Sequence, residues 1–298
     1  MRVDPGKNVI VTDDGRYYEK PSKARTVGAF IAGNSVYSIP PLLQTATTFS
    51  LMDKMRALND PKDTLVISNA LKSALEKSGL KNTVELIEYS GSKSRSFAEF
   101  IKKYINAVRG GKISKPKAIA SFSVNSLKSG FNAGFVPIIN QIHINTEKIG
   151  TAGFHEIGHA INFNTSKFWK AMQKSRFISM KLVIPTLVLV ALCKRKKAEG
   201  EEPKGFFDKT TTFIKNNVGK LSFAAMIPVV AEEIKATARG NKLAKELLKP
   251  ELYEKVLKTN KFGALSYICA AFAVSIGAYA ANKARDAIAK PKEIKPKV

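Results

Sequence analysis

Residues 154–161 read Phe154-His155-Glu156-Ile157-Gly158-His159-Ala160-Ile161, and the reading of the whole chain turns on this stretch. On a helix, positions four apart are stacked neighbours, so the His155 and His159 imidazoles can reach one common point. Glu156 lies about 100° around the axis from His155, beside that point, where its carboxylate can hold a water next to a metal instead of the metal itself. Phe154, Ile157, Gly158, Ala160 and Ile161 are uncharged, as a buried helix requires, and Gly158 leaves room for a neighbour to approach closely. The chain has three histidines, and two of them stand here. The spacing predicts a helix carrying two metal ligands, His155 and His159, and a general base, Glu156.

Upstream of this helix the pattern is that of an α+β unit. Ser96-Phe97-Ala98-Glu99 has the form of a capping box, and Phe97, Phe100, Ile101, Tyr104, Ile105 and Val108 then fall on one helical face, closed by Gly110 and Gly111. An earlier helix is expected from about Ser68 to Ser78, before Gly79. Thr83–Tyr89, Ala118–Val124 and Val136–Asn145 read as strands. The last leads into the histidine helix, which is expected to begin near Asn145 or Thr146 and to end by Asn164. The start of the chain, residues 1–25, is polar and reads as a tail or a small hairpin. Residues 26–51 carry no charge, but Gly33-Asn34-Ser35 and Pro40-Pro41 interrupt them.

Downstream the chain turns apolar in blocks. Residues 177–193 hold one charged residue, Lys181, and end at Lys194-Arg195-Lys196-Lys197. Residues 221–231 form a shorter run, and residues 262–282 have no charge and match the thickness of a bilayer. The small residues of the last run suit helix packing in a membrane, and Lys and Arg flank all three. The expected fold class is therefore α+β and mainly helical, with hydrophobic helices embedded in a membrane, in a multi-pass arrangement. Three segments are expected: 1–51, a tail and apolar segment; 52–240, a domain interrupted by an apolar hairpin at 177–231; and 241–298, a basic helix, an apolar helix and a basic tail.

The chain of 298 residues is 44% hydrophobic, enough for a full core. Its net charge of +25 favours an anionic partner. The basic residues are spread along the chain, without a zinc finger, an aromatic-basic RNA motif or a basic heptad region, so anionic membrane lipid is expected as the partner and nucleic acid is not. Cys193 and Cys269 lie in apolar stretches far apart and read as small buried hydrophobes. Met1-Arg2-Val3-Asp4-Pro5 opens a polar segment without the form of a cleavable secretory signal.

A catalytic zinc takes three protein ligands and leaves a fourth position for water. No histidine follows the motif, and His143 precedes it on the expected strand. Ala231-Glu232-Glu233-Ile234-Lys235-Ala236-Thr237 places two adjacent carboxylates directly after an apolar run, where they need a compensating partner. The residues alone leave Glu232 and Glu233 both open as the third ligand.

An HEIGHA helix, an apolar hairpin and then Glu233-Ile234-Lys235-Ala236 resemble the integral-membrane gluzincins, the group of the CAAX prenyl protease and the bacterial heat-shock membrane protease. The resemblance covers roughly residues 136–240, and bacterial neutral zinc metallopeptidases with an HEIGHA helix are similar in the same way. It implies a zincin-like core, a small sheet with an edge strand beside the HExxH helix, that binds an extended substrate by strand addition. It also implies Zn²⁺ held by His155, His159 and Glu233, with Glu232 second to Glu233. Thr237 stands where the family's ExxAD motif has an Asp that orients a histidine ligand, a departure that leaves the subfamily open.

The expected function is that of a zinc-dependent, membrane-associated endopeptidase with a polypeptide substrate, hydrolysing peptide bonds with a zinc-activated water and Glu156 as general base. Arg239, His143 and Tyr253 are the candidates for a further oxyanion donor. The alternative is a non-catalytic basic membrane protein that binds anionic lipid or a partner complex.

Overall fold

The structure is a computed structural model and describes residues 8–91, 96–111 and 124–294. Among the described residues the chain is mainly helical, with two small three-stranded sheets. It divides into two compact units. The first comprises residues 1–44, 176–227 and 270–298; the second comprises residues 45–175 and 228–269.

The first unit opens with β1 (Val9–Val11) and β2 (Tyr17–Glu19), an antiparallel hairpin. The turn between them is closed by Gly15 at φ +81°, a conformation that glycine adopts without strain. A short β6 (Lys292–Glu293) from the other end of the chain pairs with β2.

Helix α1 (Lys23–Ala57) starts where the Ser22 hydroxyl accepts the Arg25 N–H. It continues through Pro40-Pro41, which the sequence marks as an interruption. Two prolines remove two backbone donors, and a helix of 35 residues retains enough of the ladder on either side to carry the loss. Another helical stretch runs as Lys167–Ile178, a π-helical turn at Ser179–Val183, and Ile184–Cys193. Pro185 comes two residues after that turn. A proline ring collides with the carbonyl four residues earlier, and widening the turn there relieves the collision.

Among the described residues, two helices are long and apolar enough to cross a membrane: Lys167–Cys193 and Pro250–Ile288. Only 28% and 22% of their apolar stretches are buried within the protein, so neither has the burial expected of a core helix. Phe177, Leu182, Leu189, Phe272 and Ile276 are among their exposed side chains. The third apolar run, 221–231, forms part of a longer helix, Gly205–Leu247. Cys193 is exposed and Cys269 half-buried, which corrects the expectation that both are buried.

The second unit is built on β3 (Glu85–Tyr89), β4 (Gly134–Val136) and β5 (Gln141–Asn145), in the order β3-β5-β4. β3 pairs parallel to β5 and β4 antiparallel to it, with Ile87 opposite His143 and Phe135 opposite Ile142. Alternation along β5 sends Ile142 and Ile144 into the core and His143 to the other face. Against them pack Ile67, Leu71 and Leu75 of α2 (Thr64–Lys77), together with Phe154, Ile157 and Ala160 of the histidine helix. α3 (Phe97–Arg109) follows its capping signal: the Ser96 hydroxyl accepts the Glu99 N–H at 3.2 Å.

One strand expectation changes. Val136–Asn145 is not one strand but the turn and second strand of a hairpin, broken by Pro137 and by Asn140 at φ +49°. Ile138 and Ile139 sit at its tip, 94% and 55% exposed, so a β-branched pair that reads as strand is turn instead. As a result β5 lies at the centre of the sheet, and β4 is the edge on the side away from β3. The strand expected at Ala118–Val124 falls, but for Val124, outside the described residues.

Candidate metal centre

Asn145 sets where the helical part begins. Its fully buried side chain accepts the Lys148 N–H at 3.0 Å and donates to the Gly91 and Lys128 carbonyls at 2.8 and 2.7 Å. A helical turn, α4 (Thr146–Ile149), and a 3₁₀ turn at Gly150–Ala152 lead into α5 (Gly153–Thr165). The Thr151 N–H is taken up by the Asn59 side chain at 3.0 Å, and the Thr151 hydroxyl meets Thr259 at 2.8 Å. The start of the helical part is thus held by polar groups from four other segments.

The helix after the hydrophobic run, Gly205–Leu247, crosses α5 in backbone contact. A Cβ on Gly158 would lie 2.0 Å from the Ala236 carbonyl oxygen, and one on Gly240 would lie 2.3 Å from that of Phe154. One glycine from each helix removes the side chain that would hold the axes apart. That approach brings Glu232 and Glu233 against the two histidines.

Three ligand atoms converge. His155 Nε2 and His159 Nε2 are 2.9 Å apart, and Glu233 Oε2 lies 3.0 Å from the first and 3.4 Å from the second. Metal–ligand bonds of roughly 2.0–2.1 Å at tetrahedral angles imply edges of about 3.3 Å, so the three atoms have the size of one face of such a coordination shell. All three residues are buried, and the group can hold a metal ion.

The far nitrogens decide what the near ones can do. His155 Nδ1 is 3.1 Å from the Thr237 hydroxyl, and His159 Nδ1 is 2.8 Å from Glu232 Oε1. A carboxylate only accepts, so His159 carries a hydrogen on Nδ1, which leaves Nε2 as the nitrogen that can bind a metal. Thr237 can accept from Nδ1–H of His155 in the same way. Asn162, one turn beyond His159, donates its amide to the same Glu232 oxygen at 3.0 Å. Burial alone would push the His159 imidazole down, but the Glu233 and Glu232 carboxylates outweigh it and hold its pKa well above the usual value.

Glu156 follows His155 on α5. It is buried, and its Oε2 accepts the Phe135 backbone N–H of β4 at 2.8 Å. The edge strand thus fixes the side chain that sequence spacing places next to the metal.

Of the sequence candidates, the structure brings together His155, His159 and Glu233, with Thr237 adjoining and Glu156 buried on the same helix as the histidines. Glu232 approaches the outer nitrogen of His159, not the point where the three ligand atoms meet. The proposed oxyanion donors are not brought there. His143 faces away from the core, with Nδ1 at 2.9 Å from the Tyr89 hydroxyl and Nε2 at 3.1 Å from Gln141. Alternation along β5 makes this unavoidable while Ile142 and Ile144 fill the core. Arg239 reaches Thr165, at the far end of α5, and Tyr253 packs on the hydrophobic core.

Sequence reasoning passed over Asn162, Gly240 and the Phe135 N–H. Asn162 had a signal, the i+3 spacing from His159. A backbone donor from a separate strand leaves none. Comparison with known proteins gives no match: no family model, no curated protein and no solved structure matches the chain.

Proposed function

We propose that this chain is a zinc-dependent, membrane-associated endopeptidase with a zincin-like core. The observation that carries the reading is the convergence of His155 Nε2, His159 Nε2 and Glu233 Oε2, with the buried Glu156 on the same helix as the two histidines. Two imidazoles and a carboxylate suit zinc among the first-row metals, and three protein ligands leave one position open. When bound, zinc supplies Lewis acidity, polarising a carbonyl and making a water acidic enough to act near neutral pH.

The chain's own residues do the rest. His155, His159 and Glu233 hold the ion. Thr237 and Glu232 set the tautomer and direction of the two rings. Glu156, held at one oxygen by the Phe135 N–H, uses its carboxylate to take a proton from the water that attacks the scissile carbonyl, then returns it to the departing amine. The substrate is a polypeptide, received in extended form along β4, the edge strand next to Glu156.

Helices Lys167–Cys193 and Pro250–Ile288 anchor the protein as a multi-pass integral membrane protein, and its net charge of +25 draws it to anionic lipid. The same charge and apolar helices would serve a non-catalytic membrane protein, which is what remains if the metal centre is inert.

Replacing Glu156 by Gln tests the reading. The expected result is a loss of peptide hydrolysis by a factor of about 10² to 10⁴ with metal content unchanged. Hydrolysis at the wild-type rate in the Gln variant would exclude Glu156 as the base.

A further inference from the structure

Glu232 is the most deeply buried acid of the second unit, 0% exposed beside Glu233 at 1%. Its Oε1 receives two donors from one helix, His159 Nδ1–H at 2.8 Å and the Asn162 amide at 3.0 Å. Its Oε2 has no partner among the described residues, and neither has the Asn162 side-chain oxygen. A buried carboxylate with a bare oxygen is a costly way to orient an imidazole. The neighbouring ring shows the cheaper one, since His155 is held by the neutral Thr237 hydroxyl.

What a carboxylate adds over a hydroxyl is charge. Glu232 and Glu233 together bury two negative charges, and the tautomer that Glu232 imposes leaves His159 neutral once its Nε2 takes a ligand. A divalent cation balances this pair without a further counter-ion.

We propose that Glu232, clamped by Asn162, is a positioning residue: it fixes His159 Nε2 towards the ion and supplies half of the charge that makes the site tight for a divalent cation. The inference rests on the metal-site reading above and goes beyond it by assigning Glu232 outside the ligand set. Glu232 therefore governs affinity, while Glu233 governs coordination.

The test uses the full-length protein in detergent with Zn²⁺ and Co²⁺ alone as probes. Zn²⁺ affinity is measured by competition with a chromophoric chelator, and the Co²⁺ absorption spectrum reports the ligand set. Glu232→Gln keeps an acceptor and loses the charge, so it should bind about tenfold more weakly than wild type. Glu232→Leu loses both and should bind about a hundredfold more weakly. Both should keep one ion per chain and the wild-type Co²⁺ bands, whereas Glu233→Ala should lose the bands. Asn162→Ala, which leaves both acids in place, should weaken binding about threefold and answers the question if the position 232 variants do not fold.

Wild-type affinity in the Gln and Leu variants would overturn the proposal. Loss of the Co²⁺ bands in the Gln variant would overturn it too, by making Glu232 a ligand. Wild-type protein that binds neither ion would instead remove the metal-site reading itself, a separate result.

Discussion

The first unit buries Lys215, Arg285 and Asn282 around Asp286; the second buries His155, His159, Asn162, Glu232 and Glu233. In the first, the Lys215 ammonium donates to the Ala191 carbonyl, to Asn282 Oδ1 and to Asp286 Oδ1, at 3.2, 2.6 and 2.7 Å. Arg285 Nε donates to the Leu192 carbonyl at 3.1 Å, and Nη1 pairs with Asp286 at 3.0 Å. Two of those acceptors are carbonyls in the last turn of Ile184–Cys193, which have no partner within their own helix. Cations that satisfy a helix end make a structural clamp. Among the described residues, Arg285 Nη2 finds no partner.

In the second unit the surplus has the opposite sign. Ligand atoms converge, one oxygen of Glu232 has no partner among the described residues, and what would complete the group is a cation. Two buried polar centres of similar size thus differ in whether the protein alone can finish them. The first should matter for stability and the second for binding.

The largest effect should come from forcing the second unit's helices apart. Gly158→Val places side-chain atoms where the Ala236 carbonyl already lies, and it should lose stoichiometric metal together with stability, by about 3 kcal/mol or more. Metal content and thermal unfolding in detergent measure the two; metal retained at wild-type level would contradict the backbone contact.

Next comes the clamp. Asp286→Ala leaves Lys215 and Arg285 buried without their carboxylate and should cost about 3 kcal/mol, with metal affinity unchanged. A fall in metal affinity in this variant would erase the contrast between the two centres. Added zinc at about a hundred times its dissociation constant should stabilise the wild type by about 2.7 kcal/mol and leave Glu233→Ala unaffected.

Thr237→Val removes the neutral acceptor on His155 and should weaken zinc binding about tenfold, measurable by chelator competition. The mildest effect is on pH dependence. With its pKa held well above the usual value, His159 carries a proton in the metal-free site near neutral pH, and the ion must displace it. Binding at pH 7 should therefore release about one proton per zinc from this residue, and affinity should fall as pH is lowered. Calorimetry in buffers of different ionisation enthalpy reads the proton directly; none released would contradict the assignment.

The convergence of His155 and His159 was legible because a helix converts sequence spacing into direction. Glu233 was legible as one of a pair, since two acids after an apolar run need a partner. The separate task of Glu232 was not, because it depends on how the second helix is rotated about its axis. Neighbours on a helix point about 100° apart, and only the crossing at Gly158 and Gly240 decides which acid meets which nitrogen.

The sheet was harder. Ile138 and Ile139 have the composition of strand, and the break comes from Pro137 and from Asn140 in a left-handed turn. That shift moves β5 to the centre and gives the edge beside Glu156 to β4. Pro40-Pro41 read as a break because local rules price the lost hydrogen bonds but not the 35-residue helix that carries them.

The most direct measurement is metal content by elemental analysis of detergent-purified wild type, His159→Ala and Glu233→Ala. About one zinc per wild-type chain, lost in both variants, is the expected result. No zinc in the wild type after resupply, or zinc that survives both substitutions, would contradict the His155-His159-Glu233 centre.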